Sequence, residues 1–390
     1  MKPDWSPAFL REVMYVGHLL FVRRSLIEKV GRLDSAYDGV QDYDLMLRIS
    51  EQTRKIHHIR DILYHWRRIP GSVADAIDAK PGLTEKQAKA VNSQLQRLGA
   101  KAHAEPRPGF HHRVRVVPTK RADYPCISIV IPSRDAPEHI ERCLGSLYGK
   151  TSYPHFEVLV VDNRTTDARA LSTLANHPIK RVQFDERFNF SQANNLGVSA
   201  SNGSVLVLLN NDTEVVQGDW LEQMLFLLDD PEVAAVGPML LYPDRTVQHA
   251  GVALGIRGTA DHVLRGLPPD ADGYFGSLAC TREVSAVTFA CVMMRRADYG
   301  AVGGLQEMFA THYQDVDFCL RLRERRRRIL YTPHARLIHH ESATRGSRYD
   351  VMDRALLLDR WGSIISEGDP YARWEPATRG QAKYTESLGF

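Results

Sequence analysis

No apolar run in the 390-residue sequence approaches the roughly 20 residues that cross a bilayer; Val205 to Leu209 is typical of the longest. Lys2, Pro3 and Asp4 follow Met1 where a leader would begin its apolar region, so no signal peptide is expected. The five cysteines (Cys126, Cys143, Cys280, Cys291 and Cys319) are scattered without CxxC spacing, which argues against a disulfide scaffold or a zinc knuckle. A glycine-rich GxGxxG turn is absent, and with it the signature of a dinucleotide dehydrogenase. Gly145-Ser-Leu-Tyr-Gly149-Lys150-Thr151 imitates a phosphate-binding P-loop, but it has three residues between its glycines instead of four and follows a helical pattern, not a strand. Basic motifs interleaved with aromatics are missing too, so nucleic acid is not expected as a partner. These absences predict a soluble, cytoplasmic protein in a reducing compartment. With hydrophobic residues at 43% and charged residues at 25%, the chain has enough apolar content for cores, and its length suggests about two domains.

The net charge of +3 conceals an asymmetry. Residues 1–121 carry 22 Lys and Arg against 13 Asp and Glu, whereas the remainder is acidic. A basic first third suits contact with an anionic membrane surface, at the inner face of a plasma membrane, or a solvated face with no partner. The run Arg323 to Arg328 closes an expected helix, where cations offset the exposed carbonyls.

The sequence contains an internal repeat. Val22-Arg23-Arg24 corresponds to Met294-Arg295-Arg296, Val30-Gly31 to Val302-Gly303, Leu33 to Leu305 and Tyr37 to Phe309. After one extra residue in the second copy, Gln41-Asp-Tyr-Asp44 matches Gln314-Asp-Val-Asp317, and Leu47-Arg48 matches Leu320-Arg321; each copy runs on to His65 or His339. Nothing like residues 122–290 precedes the first copy. The expected organisation is therefore a partial unit over 1–79, a linker helix and extended lead-in over 80–121, a full domain over 122–346, and a helical tail over 347–390.

From Cys126 onward, apolar runs alternate with helical stretches: 127–131, 156–161, 181–184 and 205–209 read as strands, each followed by a helix. Nearly continuous apolar strands separated by helices are those of a mostly parallel sheet covered on both faces, an α/β architecture that binds ligands at the carboxyl ends of its strands. Those ends are polar: Pro132-Ser133-Arg134-Asp135, Asp162-Asn163 and Asn210-Asn211-Asp212. Single Asp or Asn residues there would be ordinary turn formers. Three such groups on one sheet edge suit a nucleoside diphosphate and a hard divalent cation, Mg²⁺ or Mn²⁺, which prefers oxygen ligands.

Six pieces in order carry a family resemblance: Ile131-Pro-Ser-Arg-Asp135, Val160-Val-Asp-Asn163, Phe188-Asn-Phe-Ser-Gln-Ala-Asn-Asn195-Leu-Gly197, Leu209-Asn-Asn-Asp212-Thr-Glu, Tyr313-Gln-Asp-Val-Asp317 and His339-His-Glu-Ser342. Residues 122–346 resemble a family 2 glycosyltransferase of the GT-A fold. Residues 2–74 resemble the acceptor-side half of another such domain, as in tandem bacterial transferases of surface polysaccharides, rhamnosyltransferases among them. The resemblance implies that Pro132, Ser133, Asp135, Asp162, Asn163, Asn195, Asn210 and Asn211 line the nucleotide-sugar site. Asp212 would hold the metal as the last member of the family's DxD position, where Asn210 replaces one acidic ligand. His339 takes a position that can ligand the metal, a structural histidine being the other reading. Asp315 falls at the family's catalytic base, where the positive end of a helix favours an ionised carboxylate; helix capping is the competing reading, and the preferred one for Asp317.

The expected function is an inverting transferase that moves a sugar from a dTDP-rhamnose or UDP-sugar donor to a glycan or lipid-linked glycan acceptor. The alternative is a non-catalytic polysaccharide-assembly scaffold with a degenerate site. A nucleotidyltransferase of similar topology lacks its glycine-rich basic loop here. The first copy, without a nucleotide half, is expected to be silent and to associate through its apolar face with the second domain or with another chain.

Overall fold

The computed structural model describes residues 2–61, 63–65, 82–341 and 351–372. Its contacts separate two units, one formed by residues up to Arg121 together with Asp272–Arg282, the other by Ala122–Ala271 and the described residues between 283 and 372.

In the first unit, α1 (Pro7–Glu12), α2 (Arg24–Val30) and α3 (Gln41–Gln52) are followed by α4 (Leu83–Arg97) and an antiparallel hairpin of β1 (Ala102–Pro106) and β2 (Val114–Pro118). Phe9, Leu10, Tyr43, Met46, Leu47, Val91 and Leu95 form its core. The stretch expected as a linker thus contributes to a core. Leu83, Ala88, Val91 and Leu95 recur at helical spacing and are buried. Asn92 on α4 also exchanges two hydrogen bonds with Ala104 of β1, at 2.7 and 2.8 Å. Where an extended lead-in was expected, the chain folds back as the hairpin.

The second unit is built on one large sheet and a separate antiparallel pair, Val252–Leu254 with Ala260–His262. Its strands are β3 (Ile127–Ser133), β4 (Phe156–Asp162), β5 (Lys180–Gln183), β6 (Val205–Leu209), β7 (Thr213–Val215), β8 (Val233–Leu241), β9 (Val247–His249), the short β10 (Val252–Leu254), β11 (Ala260–His262) and β12 (Arg282–Glu283), β13 (Cys291–Arg295) and β14 (Arg328–His339). The main path runs β14-β8-β13-β6-β3-β4-β5. β6, β3, β4 and β5 pair in parallel, as the apolar runs predict, and β14 lies parallel to β8. β13 inserts antiparallel between β6 and β8. The helices are α5 (Pro137–Lys150), α6 (Ala168–Asn176), α7 (Phe190–Ser199), α8 (Trp220–Leu227), α9 (Arg296–Ala301), α10 (Gln314–Glu324) and α11 (Val351–Ser366). Helix α7 presses onto β3 and β4 at Gly197, where a Cβ would stand 2.3 Å from Val130 Cγ1. Only glycine permits that approach.

The repeat persists at atomic level. Arg48 pairs with Asp44 at 2.6 Å and donates to the carbonyl of Val30 at 2.6 Å; Arg321 pairs with Asp317 at 2.8 Å and donates to the carbonyl of Val302 at 2.5 Å. The surroundings differ. Cys291 to Met294 are fully buried strand residues between β6 and β8, but their counterparts Leu19 and Phe21 are 56% and 82% exposed, and residues 19–22 form no strand. Leu305 is buried while Leu33 is 61% exposed. An apolar segment becomes a central strand only when neighbours take both its hydrogen-bonding edges.

Candidate active site

The parallel strands end on one side of the sheet, and the chain places its polar residues there. Asn211 Nδ2 donates to Ser133 Oγ at 3.1 Å, joining the ends of β6 and β3 beside Pro132. After Asp212 the chain turns into β7, which pairs antiparallel with the last residues of β14, Thr213 opposite His339. That pairing brings His339 Nε2 to 3.1 Å from Asp212 Oδ1, with Asn210 Nδ2 3.4 Å from the same nitrogen. On the other side of the ring, Nδ1 lies 2.7 Å from the Gln248 side-chain oxygen. An amide oxygen can only accept, so Nδ1 carries the proton and Nε2 presents a lone pair.

Asp212 Oδ1 is buried and has no hydrogen-bond partner. A carboxylate oxygen and an imidazole lone pair 3.1 Å apart repel unless positive charge lies between them. The residues present therefore fit a divalent cation, with one oxygen and one nitrogen donor. Among the described residues no cluster of three His, Cys, Asp or Glu gathers, so the protein would supply only part of a coordination shell. The neighbouring His340 turns to Glu214 at 3.3 Å, and Ser342 lies outside the described residues.

The turns after β3 and β4 interlock. Asp135 and Ala136 both adopt left-handed backbone (φ 47° and 50°), as does Arg164 (φ 63°). Non-glycine residues held this way store strain and gather at functional sites. Asp135 Oδ1 accepts the backbone N–H groups of Asp167 and Thr166, at 2.9 and 2.7 Å, which lowers its carboxyl pKa. Asn163 donates to the carbonyls of Phe184 and Glu186, and its own side-chain oxygen is buried without a partner.

Two residues expected at the nucleotide are engaged differently. Asp162 is fully buried, one oxygen bound by Thr165 and the other by the Arg181 guanidinium. Asn195 spends its amide on the segment before α10: its oxygen accepts from Tyr299 Oη at 2.5 Å and Leu305 N at 3.0 Å, and its nitrogen donates to the Leu305 carbonyl. Both are satisfied within the protein. Asp162 fixes a turn, and Asn195 tethers a loop.

That loop leads to Asp315. Tyr313 is left-handed (φ 61°), Gln314 is buried with an unpartnered side-chain oxygen, and Asp315 stands half-buried in the first turn of α10, accepting from Val316 N at 2.8 Å. Asp42 makes the same contact to Tyr43 N at 2.9 Å. Asp317 is wholly buried, bonded to Arg321, Arg360 and the Trp361 indole. From α11, Asp353 receives the N–H groups of Ala310, Thr311 and His312 at 2.8–3.2 Å and so holds the approach to Asp315. No sequence signal marks Asp353 or Gln248, since each acts on residues distant in the chain.

The sequence model of the family described as "Glycosyl transferase family 2" matches residues 128–302. Residues 128–302 belong to glycosyltransferase family 2. The chain is 40% identical over 384 residues to the O-antigen biosynthesis protein RfbC of Myxococcus xanthus, covering 95% of this chain. It spans only 29% of that relative's length. It is 25% identical to an N-acetylglucosaminyl-diphospho-decaprenol L-rhamnosyltransferase of Mycobacterium tuberculosis, over 53% of this chain and 74% of that one. The crystal structure of GalNAc-T7 with UDP, GalNAc and Mn²⁺ superposes with a TM-score of 0.51 at 12% identity, over 69% of this chain and 54% of that chain. The fold of the second unit is thus GT-A. Among the described residues, no helix is long and apolar enough to cross a membrane.

Proposed function

We propose that the chain is an inverting glycosyltransferase of surface-polysaccharide synthesis, taking a sugar from a dTDP-rhamnose or UDP-sugar donor to a glycan or lipid-linked glycan. The observation that carries this is the Asp212–His339 pair at the end of β6, beside the Asn211–Ser133 bridge, in a family 2 domain. The names of the relatives support the polysaccharide assignment.

Ser133, Asn211 and the Asp135 turn would receive the donor at the strand ends, and the unpartnered oxygen of Asn163 would accept a hydrogen bond from it. Asp315 would remove the proton from the acceptor hydroxyl. The oxygen forms its bond to the anomeric carbon on the face opposite the diphosphate, and the breaking bond's electron pair leaves with the diphosphate. Asp212 and His339 would hold a divalent cation, Mg²⁺ or Mn²⁺, whose charge when bound offsets that of the leaving group. Asn195 and Asp353 would keep the approach to Asp315 in place. The basic first unit would rest on an anionic membrane or associate with another protein.

Nucleoside diphosphate release from dTDP-, UDP- and GDP-sugars, with and without Mn²⁺, tests the reading. Turnover with one donor that is Mn²⁺-dependent, and about a hundredfold lower in a folded Asp315→Asn variant, is expected. Donors bound but never turned over would favour the scaffold.

A further inference from the structure

We infer that Gln248 is a positioning residue that fixes the tautomer of His339, so that the metal pair stays open instead of closing on itself. The inference rests on the metal reading given above.

Gln248 lies on β9, which pairs antiparallel with β8, and is 1% exposed. Its side-chain nitrogen faces Glu341 Oε2 at 3.0 Å and the His339 carbonyl at 3.4 Å. Both of these can only accept, so the amide must turn its nitrogen toward them and its oxygen toward His339 Nδ1. The orientation is therefore forced from behind. With that oxygen 2.7 Å away, the imidazole proton sits on Nδ1.

The consequence falls on Asp212. In the opposite tautomer Nε2 would carry the proton 3.1 Å from Asp212 Oδ1 and could donate to it, satisfying the carboxylate and leaving no lone pair for a cation. Glu341, Gln248 and His339 thus form a relay of hydrogen bonds that turns the Nε2 lone pair, 3.4 Å from the Asn210 amide nitrogen, toward the Asp212 carboxylate oxygen. Outer partners of this kind raise metal affinity by about ten- to a hundredfold.

The test uses the full chain, labelled with ¹³C,¹⁵N-histidine, with the His339 resonances identified by their loss in His339→Gln. In wild type the Nδ1–H tautomer is expected. In Gln248→Leu the proton should move to Nε2, and Mn²⁺ affinity should fall about ten- to a hundredfold by the free-Mn²⁺ electron paramagnetic resonance signal, measured alone and with UDP. Should Gln248→Leu not fold, Glu341→Ala carries the same measurements: Glu341 is exposed, and its loss should give mixed tautomers and weaker binding. An unchanged tautomer in the folded variant overturns the inference, as does unchanged Mn²⁺ affinity. A wild-type chain that binds no Mn²⁺ refutes the metal reading instead, and the tautomer in the variant then decides the positioning alone.

Discussion

Asp315 and Asp317 stand two residues apart in the first turn of the same helix and so face different ways, and their removal should have opposite consequences. Asp317 is fully buried; one oxygen accepts from Arg321 Nε at 2.8 Å, the other from Trp361 Nε1 at 3.0 Å and the Arg360 guanidinium at 3.2 Å. Arg321 is itself only 6% exposed. Asp317→Ala would leave a buried guanidinium without its counter-charge and an indole N–H without its acceptor, a loss of about 3–5 kcal/mol. For a unit of this size that lowers the melting temperature by roughly 6–20 °C. Calorimetry, with Trp fluorescence as a second probe, reads the shift. Asp315, half-buried and bonded to its neighbour's N–H, should tolerate Asn with a melting temperature near wild type while turnover falls. The repeat supplies an internal control. Asp44→Ala strips the same kind of pair, but Arg48 is 15% exposed, so about 1–3 kcal/mol is expected. Asp317→Ala melting within a degree of wild type, or Asp315→Asn melting as low as Asp317→Ala, would refute this division of roles.

Gly197→Ala should lower stability by about 1–3 kcal/mol, because its Cβ would meet Val130 Cγ1 at 2.3 Å and Val161 Cγ2 at 2.8 Å; the urea midpoint measures it. Asp212→Ala should abolish Mn²⁺ binding without lowering the melting temperature, and calorimetric titration showing undiminished binding would contradict the metal assignment. His262 is half-buried against His249, and its partial removal from water pushes its pKa down to about 3. The unfolded chain takes up this proton near pH 6.5, whereas the folded chain refuses it until near pH 3, so acid favours unfolding in that window. Stability should fall by up to about 1.4 kcal/mol per pH unit below 6.5, and His262→Gln should flatten that slope.

The sequence by itself determined the alternation of strands and helices in residues 127–228, the polar strand ends, the repeat and the first-turn position of Asp315. All of these rest on neighbours a few residues apart: apolar periodicity, turn-forming residues and helix ends. The tertiary structure alone decided what those residues meet. Asn210 and His339 are 129 residues apart and become neighbours only because β7 pairs with the end of β14. Gln248 reaches the same histidine through the pairing of β9 with β8. Asp162 and Asn195 have the right identity for a ligand site, but Arg181, Tyr299 and Leu305 claim them, and no local pattern announces a partner brought by a crossover. The two copies of the repeat make the same point. Their Asp–Arg pairs fold alike because every atom of that contact lies within one short segment. Leu19 and Phe21 stay exposed while Cys291 and Met293 are buried, because a strand's burial belongs to the strands beside it.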